Sequence, residues 1–159
     1  MEELLKILEE NAQVSTADIA ARLNRSEEEI KRQIQQLEED KVILAYKALV
    51  DDDKAGRDYV KAVIEVKISP ERDGGFDRLA SRIAKYDQVE DCYLMSGSYD
   101  LMVVVQGSTL RQVASFVSEK LASIDGVLST ATHFMLKTYK EQGTLYEQEA
   151  FDQRLKVSP

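Results

Sequence analysis

The stretch CYLMSGSYDLMVVVQG, residues 92–107, consists of two apolar segments separated by a short polar turn. The turn, SGSYD at 96–100, contains glycine, serine and aspartate, which are common where a chain reverses direction. The segments on either side, VEDCYLM at 89–95 and LMVVVQG at 101–107, are rich in apolar and β-favouring residues. The stretch therefore predicts two neighbouring strands joined by a tight turn.

A strand and a helix are predicted before this pair. YVKAVIEVKIS at 59–69 has an apolar residue at every second position, as a strand with a buried face does, and Pro70 ends it. From about Phe76 onwards, apolar residues recur at helical spacing. The segment before the strand pair is therefore predicted to form a strand followed by a helix.

A helix and a further strand are predicted after the pair. Thr109 and Gln112 have the spacing of a capping pair at a helix start, and DG at 125–126 turns the chain into VLSTATHFMLKTY at 127–139. The resulting order, β-α-β-β-α-β, is that of a ferredoxin-like domain, in which two helices cover one face of a four-stranded antiparallel sheet. We assign residues 59–140 to such a domain and 141–159 to a C-terminal tail.

The segment LMVVVQG carries apolar residues on both of its faces. Leu101, Val103 and Val105 alternate with Met102 and Val104. A sheet with helices on one side only should present polar residues on the other side. Since no third helix is predicted in the domain, we expect a second copy of the sheet to cover that face in a homodimer, although the C-terminal tail could contribute.

The first 50 residues have a different pattern, that of three short helices. Apolar residues at one-turn spacing predict a helix at 4–10. Two pairs of serine with an acidic residue three positions later then mark helix starts, Ser15 with Asp18 and Ser26 with Glu29. The second and third helices are therefore joined by a short turn.

After the third helix, VILAYKALV at 42–50 is expected to form a short wing or leading strand. Three helices followed by a strand are typical of a winged helix-turn-helix domain, which we assign to residues 1–50; a helical hairpin without a DNA partner is the alternative. The polar segment DDDKAGRD at 51–58 is then a linker. The predicted fold class is α+β, with the winged helix-turn-helix first and the βαββαβ domain second.

Composition excludes several classes of protein. With 159 residues, 43% hydrophobic and 31% charged, the chain is typical of a folded protein of one or two domains. No apolar run approaches the roughly 20 residues of a membrane span, and the acidic start MEELLKILEE is unlike a signal peptide, so we expect a cytoplasmic protein. One cysteine, Cys92, excludes an internal disulfide. No Ser-His-Asp set, phosphate loop or metal-ligand cluster is recognisable, and no cofactor is predicted.

A winged helix-turn-helix followed by a βαββαβ domain resembles the Lrp/AsnC family of bacterial and archaeal transcription regulators. CYLMSGSYDLMVVVQG is similar to that family's turn between the middle strands, and DGVLSTATHFMLKTYK at 125–140 to its threonine-bearing last strand. The helix spacing at 4–46 also matches, so that the resemblance covers nearly all of residues 1–140. It implies that the first domain binds DNA and the second dimerises and senses amino acids between subunits, with dimers assembling into tetramers or octamers.

The third helix carries most of the candidate DNA-binding residues. From Ser26 to Lys41 its net charge is 3 − 6 = −3. This helix is more acidic than the resemblance implies, and it lacks the glycine that the resemblance implies near Lys41. We therefore expect each domain to bind DNA weakly and an oligomer to recover affinity by linking several domains. Arginine and glutamine can form paired hydrogen bonds with bases, and cations can bind phosphate. The predicted DNA-binding residues are Arg25, Ser26, Lys31, Arg32, Gln35, Gln36 and Lys47.

The turn and the last strand carry the candidate effector site. A glycine with positive φ exposes backbone amides that suit a carboxylate, and an aspartate can pair with an ammonium group; an amino acid has both groups. Threonine hydroxyls can add further contacts. A plain hairpin turn and ordinary strand propensity are the alternatives. The predicted effector-binding residues are Gly97, Ser98, Tyr99, Asp100, Thr130 and Thr132.

The sequence thus predicts a DNA-binding transcriptional regulator controlled by a small amino-acid-like effector, and not an enzyme. An effector-binding oligomer that has lost DNA binding is one alternative. Another is a siroheme decarboxylase, since those enzymes resemble the regulators in both domains. Its proton donor would be His133, but the arginines needed to anchor a heme-like substrate are few nearby.

Overall fold

A computed structural model describes residues 1–69 and 75–146. Pro70, which was predicted to end the first strand of the second domain, lies outside the described residues, as do residues 147–159 of the predicted tail. No helix in the described ranges is long and apolar enough to cross a bilayer.

The first unit, Met1–Leu49, contains three helices that pack around their own apolar side chains. Each predicted serine cap is confirmed: the Ser15 Oγ accepts a hydrogen bond from the Asp18 amide at 3.1 Å, and the Ser26 Oγ accepts one from the Glu29 amide at 3.2 Å. The helices are α1 (Glu2–Glu10), α2 (Thr16–Leu23) and α3 (Glu27–Glu39). The buried apolar side chains are Leu4, Ile19, Ala20, Ile30 and Leu37.

The predicted strand at 42–50 is wrong, since residues 44–50 have no regular secondary structure. Its apolar side chains remain largely exposed, with Leu44 83% and Tyr46 49% accessible. A strand needs a partner to satisfy its backbone groups, and no other segment of the described chain pairs with this one. High β-propensity alone therefore does not produce a strand here.

The second unit, from Val50 onwards, is built on a four-stranded antiparallel sheet with the order β2-β3-β1-β4. The predicted linker at 51–58 falls within this unit. The strands are β1 (Val60–Ile68), β2 (Val89–Leu94), β3 (Leu101–Gly107) and β4 (Val127–Phe134). The helices are α4 (Asp77–Ile83) and α5 (Leu110–Ser115), and the latter continues as a π-helical segment, Phe116–Leu121. The ferredoxin-like prediction is confirmed.

The last strand is shorter than predicted. It ends at Phe134 rather than Tyr139, and the chain then forms a small hairpin of β5 (Lys140–Glu141) and β6 (Thr144–Leu145). The Tyr146 hydroxyl donates a hydrogen bond to Glu141 Oε2 at 2.7 Å, and this bond raises the pKa of Tyr146 to about 12. Residues 135–139, predicted as the end of β4, therefore lie between the strand and this hairpin.

The two faces of the sheet have different surroundings. The alternate apolar residues of β1 are buried under α4 and α5 as predicted, and of the two apolar faces of β3, that of Leu101, Val103 and Val105 joins them in the core of this unit. On the opposite face, Val63, Met102 and Val104 are only half-buried. These three side chains belong to neither of the buried apolar clusters formed by the described residues, and the face that carries them is hereafter called the open face.

Candidate DNA-binding and effector sites

The outward surface of α3 is fixed by the packing of its inward side. Ile30 and Leu37 are buried against the neighbouring helices, and the exposed residues opposite them include Arg32 and Gln36. Asn24 has φ 51°, a left-handed conformation that asparagine tolerates, and it ends α2 so that α3 can start at Glu27, three residues later. The turn thus sets which side of α3 meets solvent.

One of the predicted phosphate-binding lysines is already paired. The Lys31 Nζ lies 2.8 Å from Glu27 Oε1, which also accepts a hydrogen bond from Thr16 Oγ1 of α2 at 2.7 Å. The hydrogen bond with Lys31 lowers the pKa of Glu27, and the same bond raises the pKa of Lys31. This carboxylate therefore links α2 to α3 and competes with phosphate for Lys31.

The side chains of two further predicted DNA-binding residues, Arg25 and Gln35, already form hydrogen bonds with side chains of α3. The Arg25 Nη1 donates to Gln33 Oε1 at 3.0 Å and lies 3.9 Å from Glu29 Oε1. Gln35 Nε2 donates to Glu39 Oε1 at 2.8 Å. A DNA contact from Arg25 or Gln35 would have to replace these hydrogen bonds.

The side chains of Arg32, Gln36 and Lys47 form no hydrogen bond or ion pair with any part of the chain that the structure describes. The predicted residue Ser26 uses its hydroxyl as the helix cap. Of the seven predicted DNA-binding residues, only these three side chains are thus unengaged, and all three are exposed.

Sequence reasoning missed a contact between the segment after α3 and the helix itself. The Tyr46 hydroxyl donates to Glu38 Oε1 at 2.9 Å. The pKa of Tyr46 is raised, mainly by partial burial and secondly by this hydrogen bond to the Glu38 carboxylate. Lys41, near which the resemblance implies a glycine, has φ 57°. A β-carbon is unfavourable at this φ, which gives a physical reason for glycine at the position.

The predicted effector turn is anchored to β1. Gly97 has φ 120°, as expected for a glycine that exposes backbone groups. Asp100 Oδ2 accepts a hydrogen bond from the Ile68 amide at 2.8 Å, and the Asp100 amide donates to the Val66 carbonyl at 3.0 Å. Asp100 therefore has a structural partner that the sequence did not reveal, since Ile68 is 32 residues away.

The threonines of β4 lie on the helix-covered side of the sheet. Val66 of β1 pairs with Thr130 of β4 on one side and with Leu101 of β3 on the other. Leu101 directly follows the turn, so Thr130 lies two strands away from it. At the usual strand spacing this is about 10 Å. Thr132 lies one row further along, opposite Ile64. The structure thus places Thr130 nearer than Thr132 to the row in which the turn ends.

The histidine of the enzyme alternative lies elsewhere, on the open face. The His133 Nε2 is 3.5 Å from Glu65 Oε1, and its side chain is 59% exposed. Cys92 is half-buried on β2 against the helices, and burial raises the pKa of its thiol. Within residues 1–69 and 75–146, neither residue belongs to a group of three or more histidine, cysteine or acidic side chains that could hold a metal ion.

Comparison with known proteins agrees with both units. The sequence pattern of the Lrp/AsnC ligand binding domain matches residues 61–145, and that of a winged helix-turn-helix DNA-binding domain matches residues 2–43. The HTH-type transcriptional regulator YugG of Bacillus subtilis (strain 168) is 46% identical over 158 residues, covering 99% of this chain and 95% of the relative. A proline dehydrogenase transcriptional activator of Rhizobium radiobacter is 26% identical over 140 residues, covering 88% and 89%.

Solved structures show the same architecture. The transcriptional regulator NMB0573 of Neisseria meningitidis, in complex with L-Met, has a TM-score of 0.69 and 25% identity over 87% of this chain and 88% of that one. The structure of PH0061 has a TM-score of 0.75 at 23% identity, over 88% and 93%. The relatives are regulators, and nothing supports the decarboxylase alternative. The chain belongs to the Lrp/AsnC family and is a DNA-binding transcriptional regulator, not an enzyme.

Proposed function

We propose that this regulator contacts DNA through the outer surface of α3 and responds to a small amino-acid-like effector held at the turn 97–100. It acts in the cytoplasm as a homodimer that assembles further, to a tetramer or octamer. The observation that carries the proposal is the exposed side of α3, where Arg32 and Gln36 have no partner in the described chain. A capped helix with unengaged base-reading side chains is suited to the major groove.

The effector part of the proposal rests on the chemistry of the turn. Gly97 and Ser98 are exposed, so backbone amides there are accessible to a carboxylate. Asp100 uses Oδ2 for the Ile68 amide, and its Oδ1 forms no hydrogen bond within the described residues, so Oδ1 can accept from an ammonium group. Tyr99, Thr130 and Thr132 are half-buried and can add contacts to the rest of the ligand. The L-Met complex of the Neisseria regulator supports an amino-acid effector.

A paired glycine substitution tests the effector site. Gly97 and Gly143 both have positive φ, of 120° and 82°, and neither has an atom within 4 Å of an added β-carbon. Changing either to alanine strains the backbone, and the cost is larger at Gly97, because its φ lies further from the left-handed region, so thermal unfolding is used to check that both variants fold. Amino acids are first screened against the wild type by thermal shift, since a ligand of the native state raises the melting temperature. We expect Gly97→Ala to abolish binding in calorimetry and Gly143→Ala to retain it. Equal affinities in the two variants would remove the turn from the site.

The oligomer is proposed from the open face. Half-buried Val63, Met102 and Val104 form an apolar patch at the centre of the sheet, which a second copy can cover by self-complementary packing. Linking two or more α3 helices also offsets the weak affinity expected of one acidic helix. Val104→Lys places a charge in this patch and should yield monomers in light scattering. A wild-type protein that is monomeric at micromolar concentration would contradict the proposal.

A further inference from the structure

The third helix and the turn before it carry two arginines and two neighbouring glutamines, and in each pair only one side chain is hydrogen-bonded within the residues that the structure describes. Of the two arginines, Arg25 donates to Gln33 and lies near Glu29, whereas Arg32 has no side-chain partner in the described ranges. Of the two neighbouring glutamines, Gln35 donates to Glu39, whereas Gln36 has no such partner there. One member of each pair is thus available without breaking an existing contact.

We propose that Arg32 and Gln36 together read the bases of each half-site, and that this half-site contains a guanine and an adenine about two base pairs apart. The inference rests on the proposed DNA contact through α3. An arginine binds the two acceptors of guanine in the major groove, and a glutamine binds the acceptor and donor of adenine. Arg32 and Gln36 are four residues apart, which is about 6 Å along a helix. Since a helix in the major groove is inclined to the duplex axis, this rise spans at most about two steps of duplex DNA, at about 3.4 Å each.

Arg25 and Gln35 are unsuited to the same task. If Arg25 turned to a base, Gln33 would lose its donor and Glu29 its nearby cation. If Gln35 turned to a base, Glu39 would be left as an unpaired carboxylate facing the polyanion. Lys47 lies beyond α3 and offers a point charge suited to phosphate, which positions the protein without reading sequence. The existing hydrogen bonds therefore divide the predicted DNA-binding residues into readers and supports.

The test is selection of binding sites from a pool of randomised duplexes by the full-length protein and five single variants. Wild type should enrich duplexes that carry guanine and adenine at the stated spacing. Arg32→Ala should lose the guanine preference and Gln36→Ala the adenine preference, each a loss of roughly 5- to 150-fold in discrimination. The matched controls, Arg25→Ala and Gln35→Ala, should retain both preferences. Arg32→Lys keeps the charge but not the paired hydrogen bonds, so it should also lose the guanine preference.

Different outcomes separate this inference from the DNA contact on which it rests. If wild type enriches sites without the guanine–adenine pair, the inference is overturned and DNA binding stands. A change of base preference in Arg25→Ala or Gln35→Ala equal to that in Arg32→Ala or Gln36→Ala also overturns it. If wild type enriches no sequence and retains no duplex at low salt, both the inference and the proposed DNA contact are overturned.

Discussion

The surface of α3 and the turn 97–100 hold their polar side chains in different ways. On α3, Lys31 pairs with Glu27 and Gln35 with Glu39, partners only four residues away on an exposed helix. At the turn, Asp100 reaches the amide of Ile68, 32 residues away and in the core strand β1. Exposed local pairs are weak, but breaking one still adds a small cost to a DNA contact, which favours the side chains of α3 that have no such partner. A partly buried long-range hydrogen bond suits a turn that must keep its shape for a ligand.

The largest effect is expected at Asp100. Asp100→Ala removes the acceptor of the Ile68 amide, and an unsatisfied buried donor costs about 1–3 kcal/mol. For a domain of this size, each kcal/mol lowers the melting temperature by about 4–8 °C. Thermal unfolding and hydrogen exchange of the Ile68 amide measure the loss.

Asp100→Asn is the control for this prediction, because it keeps an acceptor oxygen and should keep most of the stability. If Asp100→Ala has the same melting temperature as wild type, the hydrogen bond between Asp100 and Ile68 does not hold the turn more firmly than the local pairs hold the side chains of α3. In that case the carboxylate would serve the effector alone.

A smaller effect, of opposite sign, is expected at the end of α3. Lys41 has φ 57°, and a left-handed residue with a β-carbon costs about 1–2 kcal/mol of strain. Glycine removes this strain, but the greater chain entropy that glycine loses on folding cancels about half of the gain. Lys41→Gly should therefore stabilise the first unit by about 0.5–1 kcal/mol, measured by hydrogen exchange of the α3 amides. Asp40→Gly, at φ −75°, relieves no strain and should slow none of that exchange.

The smallest effect is expected from the exposed pair of Glu27 and Lys31. Since the pKa of Glu27 is lowered in the folded state, its contribution is present above the ordinary value of 4.5 and is lost as the pH falls through the lower folded value. Glu27→Gln should therefore shift the urea midpoint slightly at neutral pH, and the shift should disappear once the pH has fallen below the lowered pKa of Glu27. A shift as large as that of Asp100→Ala would show that contacts on α3 are not readily exchanged.

What the sequence predicts follows the same division between local and distant contacts. The caps at Ser15 and Ser26 and the buried stripe of Ile30 and Leu37 depend on residues within one or two helical turns, so spacing is enough to predict them. The alternation in β1 likewise predicts the buried face of the sheet, because a strand has a fixed period, whereas β3 is apolar on both faces and its sequence does not distinguish them.

Features that depend on a distant or missing partner escaped prediction. The bond from Asp100 to Ile68 joins positions without any shared pattern, and the Tyr46 contact with Glu38 depends on how the chain leaves α3. The segment 42–50 has the composition of a strand but no partner in the described chain. For the candidate sites, sequence indicated the residue types, and only the structure separated engaged side chains from free ones.

The most direct test of the proposed DNA contact is a fluorescence anisotropy titration of the DNA upstream of the protein's own gene, at two salt concentrations. Wild type, Glu28→Gln and Glu39→Gln are compared, because both carboxylates lie on the outward side of α3 and oppose phosphate. We expect wild type to bind in a salt-dependent manner and both variants to bind more tightly. If wild type and both variants fail to bind at low salt, the outer surface of α3 is not where this regulator contacts DNA.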